Sequence, residues 1–115
     1  YGRDIVRQVV KVMQESPVMA MIVEGNQACA VARKLAGATE PKTSDVGTIR
    51  GDYTIDSYGH AMHEGRSIRN LVHCSDVPEE AEREIKVWFA DEEIMDYTTA
   101  QERIMYDVNL DGKKD

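Results

Sequence analysis

The longest apolar run of the sequence, residues 17–23, restricts the possible folds of this chain more than any other segment. It is far shorter than the roughly 20 apolar residues that a helix needs to cross a membrane. Residues 18–23 are continuously apolar and have no polar face, which is typical of a buried strand. A chain of 115 residues has room for one domain. We therefore predict a single domain with this strand in its core.

Three helices are predicted from apolar residues that recur at helical spacing. These residues are Ile5, Val6, Val9, Val10 and Met13 in the first helix, Ala28, Val31, Ala32 and Leu35 in the second, and Ala81, Ile85, Trp88 and Phe89 in the third. Asn26 and Gly37 are the predicted caps of the second helix, and Asp76 is the predicted cap of the third. Residues 70–74 predict a second short strand. Residues 38–69 have no strong periodicity, which is typical of a functional or partly disordered segment.

The balance of charge limits the ligands that the chain can bind. The formal net charge is −7 and the sequence pI is near 4.9, so nucleic-acid backbones are repelled unless basic residues are concentrated in one place. A phosphate ligand must then meet a few local arginines or a metal ion. The start of the sequence is charged and shows no signal peptide, and two cysteines are too few for a disulfide scaffold. We therefore expect a cytoplasmic protein without nucleic-acid or membrane partners.

His73 is the first candidate for chemistry, because it lies between a predicted strand and the amino terminus of a predicted helix. Such a helix end favours anionic phosphate, and an imidazole there is a nucleophile if one ring nitrogen is free and the proton on the other is held. Glu84 lies on this predicted helix, between the directions in which Ala81 and Trp88 face the core. A carboxylate there needs a partner, because burying an unpaired charge is costly. His73 is the natural candidate for that partner. The alternatives are a half-buried histidine bonded to backbone and a Glu84 that reaches solvent.

Two arginines are candidates for binding phosphate. Arg33 lies on the second helix, and Arg50 lies in Gly47-Thr48-Ile49-Arg50-Gly51-Asp52, where glycines let a ligand approach and an arginine binds it bidentately. Thr39 can add a hydroxyl, and Asp52 either supports Arg50 or lies near a bound magnesium ion. The alternative for both arginines is surface ion pairing.

Two weaker patterns point to metals. His60, His63 and Glu64 lie close together in the sequence, but zinc needs three or four well-spaced ligands, so a solvated loop is the favoured interpretation. The stretch Asp107-Val108-Asn109-Leu110-Asp111-Gly112 matches the opening of a calcium-binding loop. The bidentate acid that such a loop needs at its twelfth position is not in the sequence, so residues 107–115 are predicted to be a polar carboxy-terminal tail.

Several short motifs, in this order, resemble those of the nucleoside diphosphate kinase family. They are Ser16-Pro17-Val18-Met19-Ala20-Met21, Glu24-Gly25, Arg33 with Gly37-Ala38-Thr39, Gly47-Thr48-Ile49-Arg50-Gly51-Asp52, Asn70-Leu71-Val72-His73-Cys74-Ser75-Asp76, Glu80-Ala81-Glu82-Arg83-Glu84-Ile85 and Asp96-Tyr97-Thr98. The resemblance extends from about Val9 to Tyr106, and the combination is far more specific than any single motif.

The resemblance implies a ping-pong phosphotransferase. The terminal phosphate of a nucleoside triphosphate, usually ATP, would pass to a nucleoside diphosphate through a phosphohistidine at His73. Glu84 would orient this histidine, and Ser75 would assist the arrangement. The nucleotide-binding residues that the resemblance implies are Arg33, Thr39 and Arg50 at the phosphates and Asn70 at the ribose. The expected cofactor is Mg²⁺, which would bridge phosphate oxygens, and catalysis would rest on positioning and charge neutralisation.

The same resemblance implies an α+β fold, a ferredoxin-like α/β sandwich with a four-stranded antiparallel sheet. The first strand of the family carries a Lys-Pro-Asp motif that this sequence lacks, so that strand, the first long helix and the second strand are expected to precede Tyr1. Residues 1–106 are the expected kinase domain, incomplete at its amino terminus. Within it, residues 54–69 are an inserted loop, about ten residues longer than the family pattern.

The assembly and the alternative function also follow from the resemblance. Members of the family assemble as hexamers or tetramers, which implies a homo-oligomer. The alternative to an enzyme is a non-catalytic nucleotide- or protein-binding fragment of the same family. The base preference stays open, as does the residue that stacks the base.

Overall fold

A computed structural model of the chain, which describes residues 2–106, consists of helices joined by irregular segments. The α-helices are α1 Gly2–Met13, α2 Ala28–Ala36, α3 Ile49–Tyr53, α4 Tyr58–His63, α5 Pro78–Trp88 and α6 Ala100–Tyr106, and two 3-10 helices span Pro41–Thr43 and Asp91–Glu93. In the described part of the chain, no helix has both the length and the apolar character needed to span a membrane. The predicted tail, residues 107–115, lies outside the described residues.

The three helices predicted from apolar spacing are confirmed, and their ends have local causes. Helix α2 begins after Gln27, whose φ of 52° is left-handed, so the cap predicted at Asn26 is wrong. It ends at Gly37, which has a φ of 91° and donates its backbone N–H to the carbonyl of Arg33, as predicted for a glycine cap. Helix α5 begins with Pro78 after Val77, so Asp76 does not cap it.

The predicted ferredoxin-like sandwich with an antiparallel sheet is wrong, because residues 2–106 contain no β-strand. Both segments expected to be strands, residues 18–23 and 70–74, have no regular secondary structure. A strand exists only through hydrogen bonds to a neighbouring strand, and within the described residues no segment pairs with either. Residues 18–23 are also not buried: the side chain of Met19 is 84% exposed.

The apolar core of the described residues is thin. Their buried apolar residues are Ala36, Pro41 and Ala61, all of them small. The Cα radius of gyration is 17.8 Å, whereas a compact domain of this length would have roughly 13 Å. The apolar stripe of α1 is exposed at each of its predicted core positions, Ile5, Val6, Val9, Val10 and Met13. Apolar burial therefore contributes little to the shape of this chain, and polar contacts contribute more.

Residues 54–69, the loop predicted to be an insertion, are held by a half-buried ion pair. The Arg66 guanidinium donates to both carboxylate oxygens of Asp56, at 2.7 and 3.0 Å, and the backbone N–H of Arg69 donates to the same carboxylate at 2.7 Å. The Asp56 carbonyl accepts from the backbone N–H of Lys42, and the Tyr58 N–H donates to Glu40. These contacts fix α4 beside the 3-10 helix Pro41–Thr43. They also set the start of the segment that carries His73.

Candidate functional site

Three side chains form a hydrogen-bonded chain that joins the segment before α5, which carries His73 and Ser75, to Glu84 on the helix. The Nε2 atom of His73 lies 2.9 Å from Oε2 and 3.1 Å from Oε1 of Glu84. The Ser75 hydroxyl donates to Oε2 of the same carboxylate at 2.7 Å. These hydrogen bonds, from Ser75 first and His73 second, lower the pKa of Glu84 below its ordinary value. The carboxylate is therefore ionised at neutral pH and holds the proton of His73 on Nε2.

This arrangement leaves Nδ1 as the open face of the imidazole. Within the described residues, the hydrogen bonds of the ring run through Nε2, and the side chain of His73 is 71% exposed. A half-buried histidine bonded to backbone, the first alternative from the sequence, is therefore wrong. Glu84 is half-buried, with 29% of its side chain exposed, and its partner is the predicted one. A neutral imidazole with one proton held and the other nitrogen exposed is equipped for nucleophilic attack.

The backbone just before His73 makes a tight turn that the sequence did not predict. Leu71 has a φ of 67°, and the N–H of Val72 donates to the carbonyl of Asn70 at 2.8 Å. A hydrogen bond across one residue with positive φ is a γ-turn of the rarer and more strained kind. Leucine gives no sequence signal for this conformation, since glycine, asparagine and aspartate are the residues that usually adopt it. The turn replaces the predicted strand and aims the following residues at α5.

Arg50 is buried and bonded to backbone, so surface ion pairing, its alternative from the sequence, is wrong. The side chain extends from α3, and the residue is 8% exposed. Its Nε donates to the Asn70 carbonyl at 3.3 Å, Nη1 to the Gly37 carbonyl at 2.9 Å and Nη2 to the Val72 carbonyl at 2.6 Å. A guanidinium has five N–H donors, so two remain for a ligand. Because these three partners are backbone carbonyls rather than carboxylates, they satisfy the N–H groups but do not cancel the positive charge of Arg50.

Thr39 and Asn70 are joined beside Arg50. The Asn70 side-chain amide donates to the Thr39 carbonyl at 3.0 Å, which ties residues 37–39 to the turn at Leu71. Thr39 itself is exposed. The two segments that the family resemblance places at the nucleotide therefore lie side by side, with Arg50 bonded to both.

Arg33 has a carboxylate partner, and Asp52 has a backbone partner. Arg33 forms an ion pair with Asp76, and both side chains are about half exposed or more, at 48% and 65%. Surface ion pairing, the alternative for Arg33, is therefore what its surroundings show; exposed pairs of this kind stabilise a fold little and yield readily to another anion. Asp52 accepts the backbone N–H of Gly47 at 2.8 Å, which closes the loop that leads into α3.

The histidines of α4 do not form a metal site with their neighbours. His60 Nε2 lies 3.4 Å from Oε1 of Glu64, and the other oxygen of that carboxylate accepts from Arg66. Within residues 2–106, no group of three or more His, Cys, Asp or Glu side chains is arranged to hold a metal ion. Both cysteines, Cys29 and Cys74, are free and half-buried.

Comparison with known proteins adds sequence and structural relatives. The sequence model described as nucleoside diphosphate kinase matches residues 1–94. A nucleoside diphosphate kinase from Pyrobaculum aerophilum is 52% identical over 95 residues, which cover 83% of this chain and 52% of that protein. One from Pyrococcus abyssi is 46% identical over 96 residues, covering 84% of this chain and 56% of that protein. This chain thus spans about half the length of these relatives.

Solved structures give the same assignment. The structure of the Pyrobaculum aerophilum enzyme matches with a TM-score of 0.81, covering 83% of this chain and 52% of that one. A transition-state mimic of nucleoside-diphosphate kinase from Borrelia burgdorferi, with bound vanadate and ADP, matches with a TM-score of 0.83 at 39% identity. It covers 90% of this chain and 62% of the Borrelia chain.

Proposed function

We propose that this chain, which belongs to the nucleoside diphosphate kinase family, carries the phosphate-accepting histidine of a nucleoside diphosphate kinase. The reaction is the transfer of the terminal phosphate of a nucleoside triphosphate, ATP in the first place, to a nucleoside diphosphate. One observation carries the proposal: Glu84 holds Nε2 of His73, so that Nδ1 is exposed toward solvent. The ADP and vanadate of the related Borrelia structure support the same substrate class.

The reaction has two steps that mirror each other. In the first, Nδ1 of His73 attacks the terminal phosphorus, a P–N bond forms, and the P–O bond to the leaving nucleoside diphosphate breaks. The proton stays on Nε2, where the Glu84 carboxylate stabilises the positive charge that develops on the ring. In the second, a terminal phosphate oxygen of an acceptor nucleoside diphosphate attacks the phosphorus, and the P–N bond breaks. Ser75 keeps the Glu84 carboxylate in place throughout.

The phosphates would be bound by Arg50 and Arg33, whose partners Val72 and Asp76 lie just before and just after His73 in the chain. Arg50 offers two N–H groups beyond the three that its carbonyl partners take, and Arg33 can exchange the Asp76 carboxylate for a phosphate. Thr39 adds an exposed hydroxyl, and Asn70 lies beside it as the proposed ribose contact. Local positive charge of this kind lets a chain with a net charge of −7 bind an anionic ligand.

Magnesium belongs to the substrate in this proposal. The described residues contain no group of three metal-binding side chains, and Mg²⁺ commonly keeps several waters and binds through substrate phosphates. The ion would neutralise phosphate charge as the phosphoryl group moves. Asp52 is the carboxylate proposed to lie near it, although in the described structure its Oδ1 accepts from Gly47.

A cytoplasmic setting and an assembly of several copies complete the proposal. The two free cysteines support a reducing environment.

The exposed apolar stripe of α1 supports an assembly, since contiguous apolar residues in water mark surfaces that bind another surface. Hexamers or tetramers are the assemblies proposed.

A second function, a non-catalytic nucleotide- or protein-binding fragment, is favoured by the thin apolar core. A core of two alanines and a proline, together with an exposed α1, favours a chain that is stable only when bound to a partner. In that case nucleotide would bind, but His73 would not become phosphorylated.

Labelling with ATP that carries ³²P in its terminal phosphate distinguishes the two functions. We expect acid-labile, alkali-stable label on the full chain, complete loss of label in His73→Ala, and unchanged label in His63→Ala, an exposed histidine of α4. Addition of a nucleoside diphosphate should remove the label and yield a labelled triphosphate. ATP binding without any label on His73 would contradict the kinase and support the binding module.

A further inference from the structure

We infer that Arg50 is a positioning residue for His73, in addition to the phosphate ligand that the proposed function makes of it. This inference rests on the proposed function for its catalytic consequence. The claim that Arg50 fixes the backbone before His73 rests on the contacts of Arg50 alone. The three carbonyls that the guanidinium bonds belong to Gly37, Asn70 and Val72, and Val72 directly precedes the histidine.

Arg50 holds both ends of the strained turn at Leu71. The Asn70 carbonyl accepts two hydrogen bonds, one from the Val72 N–H that closes the turn and one from Arg50 Nε. The Val72 carbonyl, on the other side of the turn, accepts from Nη2 at 2.6 Å. A leucine with a φ of 67° persists only where the surroundings fix it. Arg50 supplies this restraint at both carbonyls of the turn, beside the Asn70 amide that bonds Thr39, and the direction in which His73 leaves the turn depends on it.

The other side of the guanidinium is anchored to the end of α2. Nη1 donates to the carbonyl of Gly37, whose φ is 91° and where any Cβ would collide with the Thr48 side chain. Thr48 in turn caps α3, the helix of Arg50, by accepting the N–H of Gly51 at 3.0 Å. The end of α2, the start of α3 and the turn at Leu71 are therefore one hydrogen-bonded unit.

Only arginine can make this connection. Its planar fork directs several N–H groups at fixed angles, whereas the lysine ammonium is a compact point charge on a flexible stem. The two N–H groups left on Arg50 lie on the same rigid plane as those that hold the turn. A phosphate bound to them is therefore placed in register with the Nδ1 atom of His73, because one guanidinium fixes both positions.

The first test compares Arg50→Lys with Arg33→Lys in protein without nucleotide. Arg33 is the matched control, since it is exposed and its ion pair is with Asp76 rather than with the turn. The ¹⁵N shifts of the His73 ring report its tautomer and its contact with Glu84. We expect them to move in Arg50→Lys and to stay unchanged in Arg33→Lys, with helix content checked by circular dichroism. Unchanged His73 shifts in a folded Arg50→Lys would overturn the inference.

The second test separates positioning from binding in single-turnover labelling. A small displacement of a reacting group costs about 100-fold in rate, so Arg50→Lys should lower the maximal rate of His73 phosphorylation by about that factor. Arg33→Lys should chiefly raise the ATP concentration needed for half-maximal rate. An Arg50→Lys variant that changes only this concentration would show a phosphate ligand without a positioning role. If the wild type takes no label, the proposed function fails while the nucleotide-free spectra still decide the role of Arg50.

The double variant Arg50→Lys/Leu71→Gly tests the restraint on the turn. Glycine adopts positive φ without steric cost, so the turn then needs less help from Arg50. We expect the double variant to regain at least about one tenth of the wild-type His73 phosphorylation rate, or, where Arg50→Lys alone fails to fold, to regain its helix content. No gain in either property over Arg50→Lys would contradict the inference.

Discussion

The region around Arg50 and the region around α1 are organised by different forces. Around Arg50, directed hydrogen bonds join α2, α3 and the turn before His73, and they leave a buried guanidinium at their centre. Around α1, the apolar residues remain exposed, and Glu15, just after this helix, forms an exposed ion pair at 2.8 Å with Arg69, which precedes the turn at Leu71. In this chain the geometry of the site therefore depends on polar contacts more than on apolar burial.

The comparison predicts its largest effect at Glu84, where a charged hydrogen bond holds His73, the proposed phosphate acceptor. Glu84→Gln keeps the shape but removes the charge that stabilises the proton on Nε2 of His73. In the serine protease triad a carboxylate-to-amide change beside the catalytic histidine costs about 10⁴-fold in rate, and we expect a loss of up to about this size in single-turnover labelling. Glu82→Gln, an exposed position on the same helix, is the control and should change nothing. Equal labelling rates in Glu84→Gln and Glu82→Gln would show that the hydrogen bond from Glu84 to His73 is not needed for the reaction.

The next effect is expected in the loop of residues 54–69, which is held by polar contacts but lies away from His73. Asp56→Asn removes the carboxylate that accepts two hydrogen bonds from the Arg66 guanidinium, whose side chain is 15% exposed, while the ion pair of Arg66 with Glu64 remains. Loss of these charged hydrogen bonds should lower the free energy of unfolding by about 1–3 kcal/mol, measured by urea denaturation. Glu64→Gln, whose carboxylate is 42% exposed, should cost less than Asp56→Asn, because solvent screens exposed ion pairs. Similar losses in both variants would show that burial of the pair does not matter.

Acid should weaken the same loop, and the sign follows from the pKa of Asp56. Hydrogen bonds, first from the Arg66 side chain and then from backbone N–H groups, lower this pKa well below its ordinary value despite partial burial. A carboxyl with a depressed pKa in the folded state stabilises the fold above its unfolded pKa, about 3.9. Its contribution is lost as the pH falls below that value toward the folded pKa. The stability difference between wild type and Asp56→Asn should thus be constant near neutral pH and shrink below about pH 4. A difference that persists unchanged in acid would contradict this account.

The smallest effect is expected on α1. Val10 is 44% exposed, so Val10→Gln should change the free energy of unfolding of the isolated chain by no more than about 0.5 kcal/mol. Ala61→Gln, at a position that is 3% exposed, is the contrasting variant and should cost about 1–3 kcal/mol through overpacking. A large loss of unfolding free energy in Val10→Gln would show that α1 is buried in solution, in an assembly or otherwise. Apolar burial would then matter around α1 as well.

The sequence predicted local features well and features with distant partners poorly. Helices α1, α2 and α5 were predictable because the spacing of their apolar residues is a property of the segment itself. The pairing of Glu84 with His73 was predictable because the two lie only 11 residues apart, His73 just before α5 and Glu84 on it. Residues 18–23 were predicted as a strand from their apolar character, but a strand depends on a partner that its own sequence does not specify.

Arg50 and Leu71 show why the rest of the site was out of reach. The partners of Arg50 lie 13, 20 and 22 residues away in the chain, and they are carbonyls, which every residue has. No residue type in the sequence marks them. The turn at Leu71 is imposed by these contacts rather than by the preference of leucine. A phosphate ligand was therefore predicted at Arg50 from its glycine-flanked motif, whereas its hold on the backbone became visible only in three dimensions.

The position of the phosphate on the His73 ring tests the central claim most directly. Phosphorylated chain can be prepared with ATP at alkaline pH, and ³¹P–¹⁵N coupling in a sample with ¹⁵N-labelled histidine identifies the nitrogen that bears phosphorus. Because Glu84 holds Nε2, we predict phosphate on Nδ1 of His73. Phosphate on Nε2, or on His60 or His63 instead of His73, would contradict the account.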